Sequence, residues 1–257
     1  MTVRLALSAS LSAIGRTAAA TILVTMAIVT SACSGGEPIP ASGKIAIVSV
    51  GDELVTETGG WPWPRSMQAR LLDRLTDAGV KRTALYFDLS SSALDPMGDR
   101  ALIAALVRAG DRTILPALPA ASTGFRDLQP IAQLRAHARI ACDSTKPDSD
   151  GTIFTMGPTC SIAGTTIPSL AAALAGRQPR NATEGFWRYD VASVPIISAK
   201  QILSGQVPRS ALAGRTVVVA PTGDLARDWT SGPDGRRLPS VYVPVLAAEE
   251  LMREGGL

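Results

Sequence analysis

The chain has 257 residues, of which 46% are hydrophobic and 18% charged, a balance typical of a globular protein of one or two domains. Its formal net charge is +3, and two of the 25 basic residues, Arg4 and Arg16, lie in an N-terminal stretch without acids, so 23 basic residues face 22 acidic ones in the remainder. Because basic and acidic residues are nearly equal in number, only 4% of the residues are aromatic and no basic cluster is present, the sequence argues against nucleic-acid binding.

The first predicted element is an uncharged, largely apolar segment over residues 17–36. A helix of that length measures about 30 Å, enough to cross the hydrocarbon core of a bilayer. Because both arginines precede it and the next basic residue is Lys44, we expect a cytoplasmic N-terminus and an exported remainder. A retained signal anchor, a cleaved signal peptide and a lipoprotein leader all fit this segment. The lipoprotein leader fits because Thr30–Cys33 loosely resembles a lipobox, and Cys33 is then the lipidation candidate. In the other two cases Cys33 is an ordinary membrane cysteine.

The next stretch, residues 34–43, is rich in Gly, Pro and Ser and has no apolar period, which predicts a tether. Alternating strand and helix patterns follow, and right-handed crossovers between parallel strands would make them a three-layer α/β sandwich with a mostly parallel central sheet. The predicted elements are strand 44–50, helix 66–78, strand 83–89, helix 98–109 and strand 112–117. The predicted organisation is a leader over residues 1–36, a tether over 37–43 and one domain over 44–257.

A β-hairpin is predicted over residues 138–162, where two β-rich runs flank a polar centre. Cys142 and Cys160 each lie nine residues from Gly151, so a turn near Gly151 would bring them face to face. Export would allow a disulfide, worth about 3 kcal/mol of stability for a loop of this size. The alternative is a pair of buried thiols.

The remaining pattern predicts short elements around one central strand. The run 216–220 is the most hydrophobic β-branched stretch of the second half, so we expect it at the centre of the sheet. The other predictions are a helix over 166–175, a strand over 186–191, a helix over 199–203 capped by Ser198, a polar loop over 221–238 and a final helix over 243–253.

One stretch carries a family resemblance. The sequence WPWPR at residues 61–65 is followed by the amphipathic helix and a strand that ends on Phe87 and Asp88. This succession resembles the CHASE2 domain, an extracytoplasmic sensory module of bacterial signalling proteins. Further matching segments are a D-x-D-G turn at 148–151, a PSL helix start at 168–170, an S-A-x-x-I-L helix at 198–203 and a strand at 213–221 in which Arg215 replaces a lysine.

The resemblance spans residues 44–251 and implies a sensory input domain, without naming its signal. Two segments depart from the family pattern. Ser90–Ser92 stand where an acid usually follows, and VYVPV at 241–245 lacks the usual acid and histidine. A pocket built from those groups would be altered. Family members also usually continue into transmembrane helices and a cytoplasmic output domain, whereas this sequence stops at Leu257. We therefore expect a truncated half of a sensor, a free-standing periplasmic protein, or a protein that signals through a separate membrane partner or as a homodimer.

Seven residues are predicted to line a ligand site. Parallel strands bind ligands beyond their carboxyl ends, and aromatic faces beside an arginine and carboxylates make a plausible pocket for a small molecule. The structural alternative is that the tryptophans belong to the core and that Asp88 bonds within its loop. The predicted set is Trp61, Trp63, Arg65, Asp88, Thr222, Asp224 and Asp228.

Catalytic and cofactor patterns are missing from the sequence, so we expect no enzyme, no cofactor and no metal site. The one histidine, His137, has no partner at ligand spacing and is predicted to be solvated or structural. A calcium loop at Asp148 and Asp150 lacks a ligand where Lys146 stands, and the pattern is more typical of a plain turn.

The sequence therefore predicts a sensory domain in the bacterial periplasm, tethered to the inner membrane by its N-terminal segment and binding an unknown small-molecule or periplasmic signal. The alternative is a periplasmic lipoprotein with a scaffold or partner-binding role and no ligand. A hydrolase-like enzyme is the third hypothesis.

Overall fold

A computed structural model describes residues 37–124, 126–147, 149, 152–224 and 228–254. The predicted leader with Cys33 lies outside the described residues, as do Asp148, Asp150 and Gly151 of the predicted turn. Within the described ranges, no helix combines the length and the apolar character needed to span a bilayer.

The described residues form fourteen strands and eight α-helices. The strands are β1 (Ile39–Pro40), β2 (Ile45–Val50), β3 (Arg82–Leu85), β4 (Thr113–Ala117), β5 (Arg139–Cys142), β6 (Thr145–Pro147), β7 (Ile153–Met156), β8 (Thr159–Ile162), β9 (Thr165–Pro168), β10 (Tyr189–Asp190), β11 (Ile196–Ser198), β12 (Thr216–Pro221), β13 (Trp229–Ser231) and β14 (Arg237–Pro239). The helices are α1 (Asp52–Glu57), α2 (Arg65–Asp77), α3 (Pro96–Ala109), α4 (Ala120–Thr123), α5 (Ala132–Arg135), α6 (Leu170–Ala175), α7 (Ala199–Leu203) and α8 (Tyr242–Glu254).

The central sheet has six strands in the order β11-β2-β12-β3-β4-β5, and every neighbouring pair is parallel. The predicted parallel sheet and the central place of β12 are therefore confirmed. Val218 of β12 pairs with Ile47 on one side and Ala84 on the other. An apolar, β-branched strand suits this position because both of its faces are buried.

Successive residues of each strand enter two separate apolar cores. In β2, Ile45 and Ile47 belong to the core with α6 and α8, whereas Ala46, Val48 and Val50 belong to the core with α2, α3 and α7. Side chains alternate across a strand, so helices cover both faces of the sheet. This arrangement leaves the ends of the strands as the places where the sheet opens to solvent.

Helix α2 begins directly after Pro64, as the WPWPR sequence predicts, and Leu71, Leu72 and Leu75 of its apolar face are fully buried. It packs along α3, and two ion pairs join these helices. Arg65 and Asp99 form a buried pair at one end, where Asp99 also accepts a hydrogen bond from the Ala93 N–H. Asp73 and Arg108 form the other pair, at 2.5 Å, on the exposed surface.

Three further segments differ from their predicted form. Residues 166–168, predicted as the start of a helix, belong to β9, and α6 begins only at Leu170 because Ser169 is its N-cap. Residues 186–191, predicted as a strand, begin with a 3₁₀ helix over Phe186–Arg188 and keep only the two residues of β10 as strand. A strand would point neighbouring side chains to opposite faces, whereas this turn lets Phe186 and Trp187 pack against the same core. The predicted loop over 221–238 contains the antiparallel hairpin β13–β14, in which the Arg237 guanidinium lies 5.4 Å from the Trp229 ring centroid.

The segment predicted as a tether is partly integrated into the domain. β1 pairs with β10, and the Ala41 N–H donates to the Ser193 hydroxyl at 2.7 Å. Ser42 donates to the carboxylate of Glu249 from its N–H at 2.8 Å and from its hydroxyl at 3.0 Å. Glu249 is buried in α8, so these bonds join the start of the described chain to its last helix.

The predicted disulfide is confirmed, but it does not join the two strands of a single hairpin. Cys142 ends β5 and Cys160 lies in β8, with their Cα atoms 6.3 Å apart. The predicted single hairpin is two antiparallel pairs, β6–β7 and β8–β9. The disulfide therefore ties the edge strand of the central sheet to the second pair rather than crossing one hairpin.

We expect Asp99→Ala to lower the free energy of unfolding by about 3 kcal/mol, because it leaves the buried Arg65 guanidinium without its counter-charge. Asp73→Ala is the matched control at the exposed pair between the same helices, where solvent screens the charges and the loss should be much smaller. Urea titration of both variants measures the two losses. Equal losses would contradict the importance of the buried pair.

We expect a Cys33→Ser chain, unfolded without reductant, to show no thiol that reacts with Ellman's reagent, because the other two cysteines are bonded to each other. After reduction, two thiols should react, and the reduced chain should lose about 3 kcal/mol of stability through the entropy of its opened loop. Two reactive thiols before reduction would contradict the disulfide.

Candidate functional site

A cavity of about 440 Å³ lies beyond the carboxyl ends of β3, β4, β5 and β12. Because all six strands of the sheet are parallel, the residues that follow them meet at the same edge. Its lining residues are Trp61, Tyr86, Phe87, Asp88, Leu89, Ser90, Pro116, Leu118, Ser122, Leu128, Gln129, Pro130, Asp143, Thr145, Ile153, Pro221, Asp228, Ser240 and Val243.

The floor of the cavity contains a hydrogen-bonded pair, Tyr86 and Asp143. The Tyr86 hydroxyl donates to Asp143 Oδ2 at 2.7 Å. Both backbones are fixed by neighbouring strands, since the Tyr86 N–H donates to the Val219 carbonyl at 2.8 Å and the Asp143 N–H to the Ala117 carbonyl at 2.9 Å. The pair is therefore positioned by the sheet itself.

Asp228, one of the two carboxylates that line the cavity besides Asp143, is partly buried. It accepts a hydrogen bond from the Ser240 side chain, and its backbone carbonyl accepts one from the Ser240 N–H at 3.1 Å. Ser240 lies just before α8, so these bonds hold Asp228 beside the first turn of that helix.

The ionisation of these three groups is linked. Burial raises the pKa of the Asp143 carboxyl, although hydrogen bonds from Tyr86 and Thr145 oppose the shift. Burial also raises the pKa of Asp228, and the nearby charge of Asp143 adds to it. Burial, followed by the charges of both carboxylates, raises the pKa of Tyr86 well above its usual value. The cavity therefore resists the accumulation of negative charge.

An aromatic series forms one wall. Phe87 stacks in a tilted arrangement on Trp61, with ring centroids 6.4 Å apart, and on Trp63, with centroids 5.8 Å apart. Trp61 is 42% exposed, whereas Trp63 is only 2% exposed. The series thus runs from the core to the cavity, and Trp61 presents its ring to the space inside.

Three of the seven predicted ligand residues meet at this cavity: Trp61, Asp88 and Asp228. Asp88 also accepts a hydrogen bond from the Ser90 N–H at 2.9 Å, so its predicted loop bond is present as well. The two departures from the family pattern border the same space, because Ser90 and Val243 belong to its lining.

The other four predicted residues lie outside the cavity's described lining, and each has a structural partner. The Trp63 indole N–H donates to the Thr58 hydroxyl at 2.9 Å within the core, and Arg65 is paired with Asp99. The hydroxyls of Thr222 and Ser49 lie 2.5 Å apart at the ends of β12 and β2. Asp224 is exposed and its N–H donates to Asp52 Oδ2 at 2.9 Å, next to Gly223, where a Cβ would lie 2.0 Å from Asp52 Oδ1.

Sequence reasoning missed Tyr86 and Asp143, which form the floor of the cavity. Asp143 directly follows β5, and a carboxylate at the end of an apolar run is the signal that could have identified it. A hairpin interpretation of residues 138–162 conceals this position, because β5 is an edge strand of the central sheet and two antiparallel pairs follow it.

The described residues contain no group of three or more His, Cys, Asp or Glu side chains that could hold a metal ion. His137 follows α5 and is exposed, which fits its predicted solvated state.

Comparison with known proteins identifies a family. A family model, that of the CHASE2 domain, matches residues 9–255, which includes the whole range over which the sequence resembles that domain. No curated protein and no solved structure matches the chain.

The raised pKa of Asp143 predicts a pH-dependent stability. The folded state holds the proton of this carboxyl more tightly than the unfolded state, so the stabilisation is full below the unfolded-state pKa and is lost as pH rises through the folded-state pKa. We therefore expect the unfolding free energy of the wild type, relative to Asp143→Asn, to fall from acidic to neutral pH. Urea titrations across this range measure the difference.

Asp224→Asn is the control for removal of an aspartate outside the cavity, since that residue is exposed. A difference between wild type and Asp143→Asn that stays constant with pH would contradict the raised pKa.

Proposed function

The chain belongs to the CHASE2 domain family, whose members are extracytoplasmic sensory domains, and on this premise we propose that it recognises a small-molecule signal in the cavity at the carboxyl edge of its sheet. The observation that carries the proposal is the cavity itself. Its volume of about 440 Å³ lies in the range of small-molecule sites, and it combines apolar walls with a few fixed polar groups.

The polar groups are held in place before any ligand arrives. Tyr86, Asp143 and Asp228 each have a hydrogen-bond partner that fixes the side chain, and strand pairing fixes the first two backbones. A preorganised site loses little conformational entropy on binding, which favours recognition of one ligand shape. This rigidity supports a receptor.

We propose binding without catalysis. Asp143 and Asp228 could in principle exchange protons, but Asp143 is engaged by Tyr86 and Asp228 by Ser240. A Ser-His-Asp arrangement would need a histidine, and His137, the one histidine of the sequence, is exposed and does not belong to the described lining. This supports recognition rather than catalysis.

The proposed setting is the bacterial periplasm, with residues 17–36 as the attachment to the inner membrane. Family membership supports the extracytoplasmic location, and the apolar segment preceded by two arginines supports the attachment. In this setting the domain would act on a separate membrane signalling partner or as a homodimer.

A scaffold role without a ligand is the second proposal, and an exposed apolar patch favours it. Leu94, in the loop before α3, is 94% exposed, and Met97, in the first turn of α3, is 60% exposed. Adjacent apolar side chains of this kind are typical of protein-binding surfaces.

A thermal-shift screen of metabolites against the full chain tests the proposals against each other. If the domain is a small-molecule receptor, at least one compound should raise the melting temperature, because binding to the native state alone stabilises it. Trp61→Ala should lower the affinity for that compound about tenfold, because it removes part of the cavity wall. Trp229→Ala, in the β13–β14 hairpin, should leave the affinity unchanged.

The receptor proposal fails if no compound shifts the melting temperature while a pulldown from the native membrane recovers a stable protein partner. Loss of that partner in Leu94→Ser would then support the scaffold.

A further inference from the structure

The described lining of the cavity carries negative charge and no positive charge. Asp88, Asp143 and Asp228 belong to it, and none of its described members is Lys, Arg or His. Asp143 is only 5% exposed, and a buried carboxylate without an opposite charge is costly in free energy. Tyr86 donates to Asp143 Oδ2 and the Thr145 N–H donates to Oδ1 at 3.4 Å, but neither bond brings an opposite charge.

Aromatic faces surround the same space. Trp61, Tyr86 and Phe87 all line the cavity, and the first and third form one continuous wall. The face of an aromatic ring carries negative potential and attracts cations, most strongly where water is excluded. Carboxylates and aromatic faces therefore favour the same sign of ligand charge.

The rest of the lining decides what kind of cation fits. Leu89, Leu118, Leu128 and Ile153 make much of the wall apolar. A sugar or polyol would bury hydroxyl groups against these side chains without partners, and an anion would be repelled by the acids. Hard divalent metals require six or more oxygen ligands, and the described residues offer no cluster of three candidate side chains.

We propose that the ligand of this cavity is an organic ammonium ion with a compact apolar body, held between the two carboxylates and the aromatic wall. The inference rests on the proposed function and specifies its ligand class. The ammonium group lies near Asp143 and Asp228, and the apolar body contacts Trp61 and the leucines opposite.

Binding of such a cation is coupled to protons. The titratable groups of the cavity that face the ammonium are Asp88, Asp143, Asp228 and the neutral Tyr86 hydroxyl. Burial raises the pKa of both Asp143 and Asp228, and a bound positive charge lowers them again. The carboxyls therefore release protons as the cation binds, and affinity rises with pH through their titration.

Isothermal titration of the full chain with matched probes tests the proposal. Choline and phenethylammonium carry the charge, and 3,3-dimethylbutan-1-ol and 2-phenylethanol are their neutral counterparts. We expect at least one ammonium probe to bind about tenfold more tightly than its neutral counterpart, since charge attraction contributes only to the cation. Titration in buffers of different ionisation enthalpy should show proton release for the ammonium probe alone.

Variants locate the charge effect. Asp228→Asn should lower the affinity for the ammonium probe about tenfold and leave the affinity for the neutral probe unchanged. Asp224→Asn, outside the cavity, should change neither affinity. Asp143→Asn keeps an oxygen that can accept the hydrogen bond from Tyr86, and it should lower the affinity for the ammonium probe as Asp228→Asn does.

The outcomes separate this inference from the proposed function. Equal binding of charged and neutral probes, weakened by Trp61→Ala, would overturn the ammonium class and retain the receptor. If neither ammonium probe binds and a neutral, anionic or metal compound from the screen binds in the cavity, the ammonium class is again overturned and the receptor retained. If neither the probes nor any screened compound binds, both the ligand class and the receptor are rejected.

Discussion

The structure depends on burial of a six-stranded parallel sheet on both faces. Helices cover the two faces, so the backbone groups of the strands are satisfied by one another and the apolar side chains by two separate cores. The carboxyl edge is then where polar and ionisable side chains can gather without breaking a core. The cavity, its acids and its aromatic wall all lie at this edge.

The position of Asp143 shows how closely fold and site are joined. It follows Cys142, whose disulfide ties the end of β5 to β8, and its backbone is paired with β4. The most buried carboxylate of the cavity is therefore held by a covalent bond on one side and strand pairing on the other. A charge that is costly to bury is kept in place by the most rigid part of its surroundings.

The sequence predicted those parts of the fold in which the apolar residues follow one clear pattern. Helix α2 after Pro64 and strand β12 at the sheet centre follow from amphipathic spacing and from an unbroken β-branched run, and both are confirmed. Asp88 and Asp228 reached the cavity from the loops that follow β3 and β12, and Trp61 reached it from the loop before α2. Trp63 and Arg65 did not, since neighbouring residues at a helix start point in different directions, and only three-dimensional packing decides which enters the core. Phe186–Arg188 was mistaken for a strand because tertiary burial overrides the preference of aromatic residues for strands.

The hydrogen bonds between Ser42 and Glu249 hold helix α8 to the segment that precedes β2. Val243, near the start of the same helix, borders the cavity, and Glu249 lies about 9 Å further along the helix axis. Helix α8 is therefore the element that connects the wall of the cavity to the residues through which the chain enters the sheet.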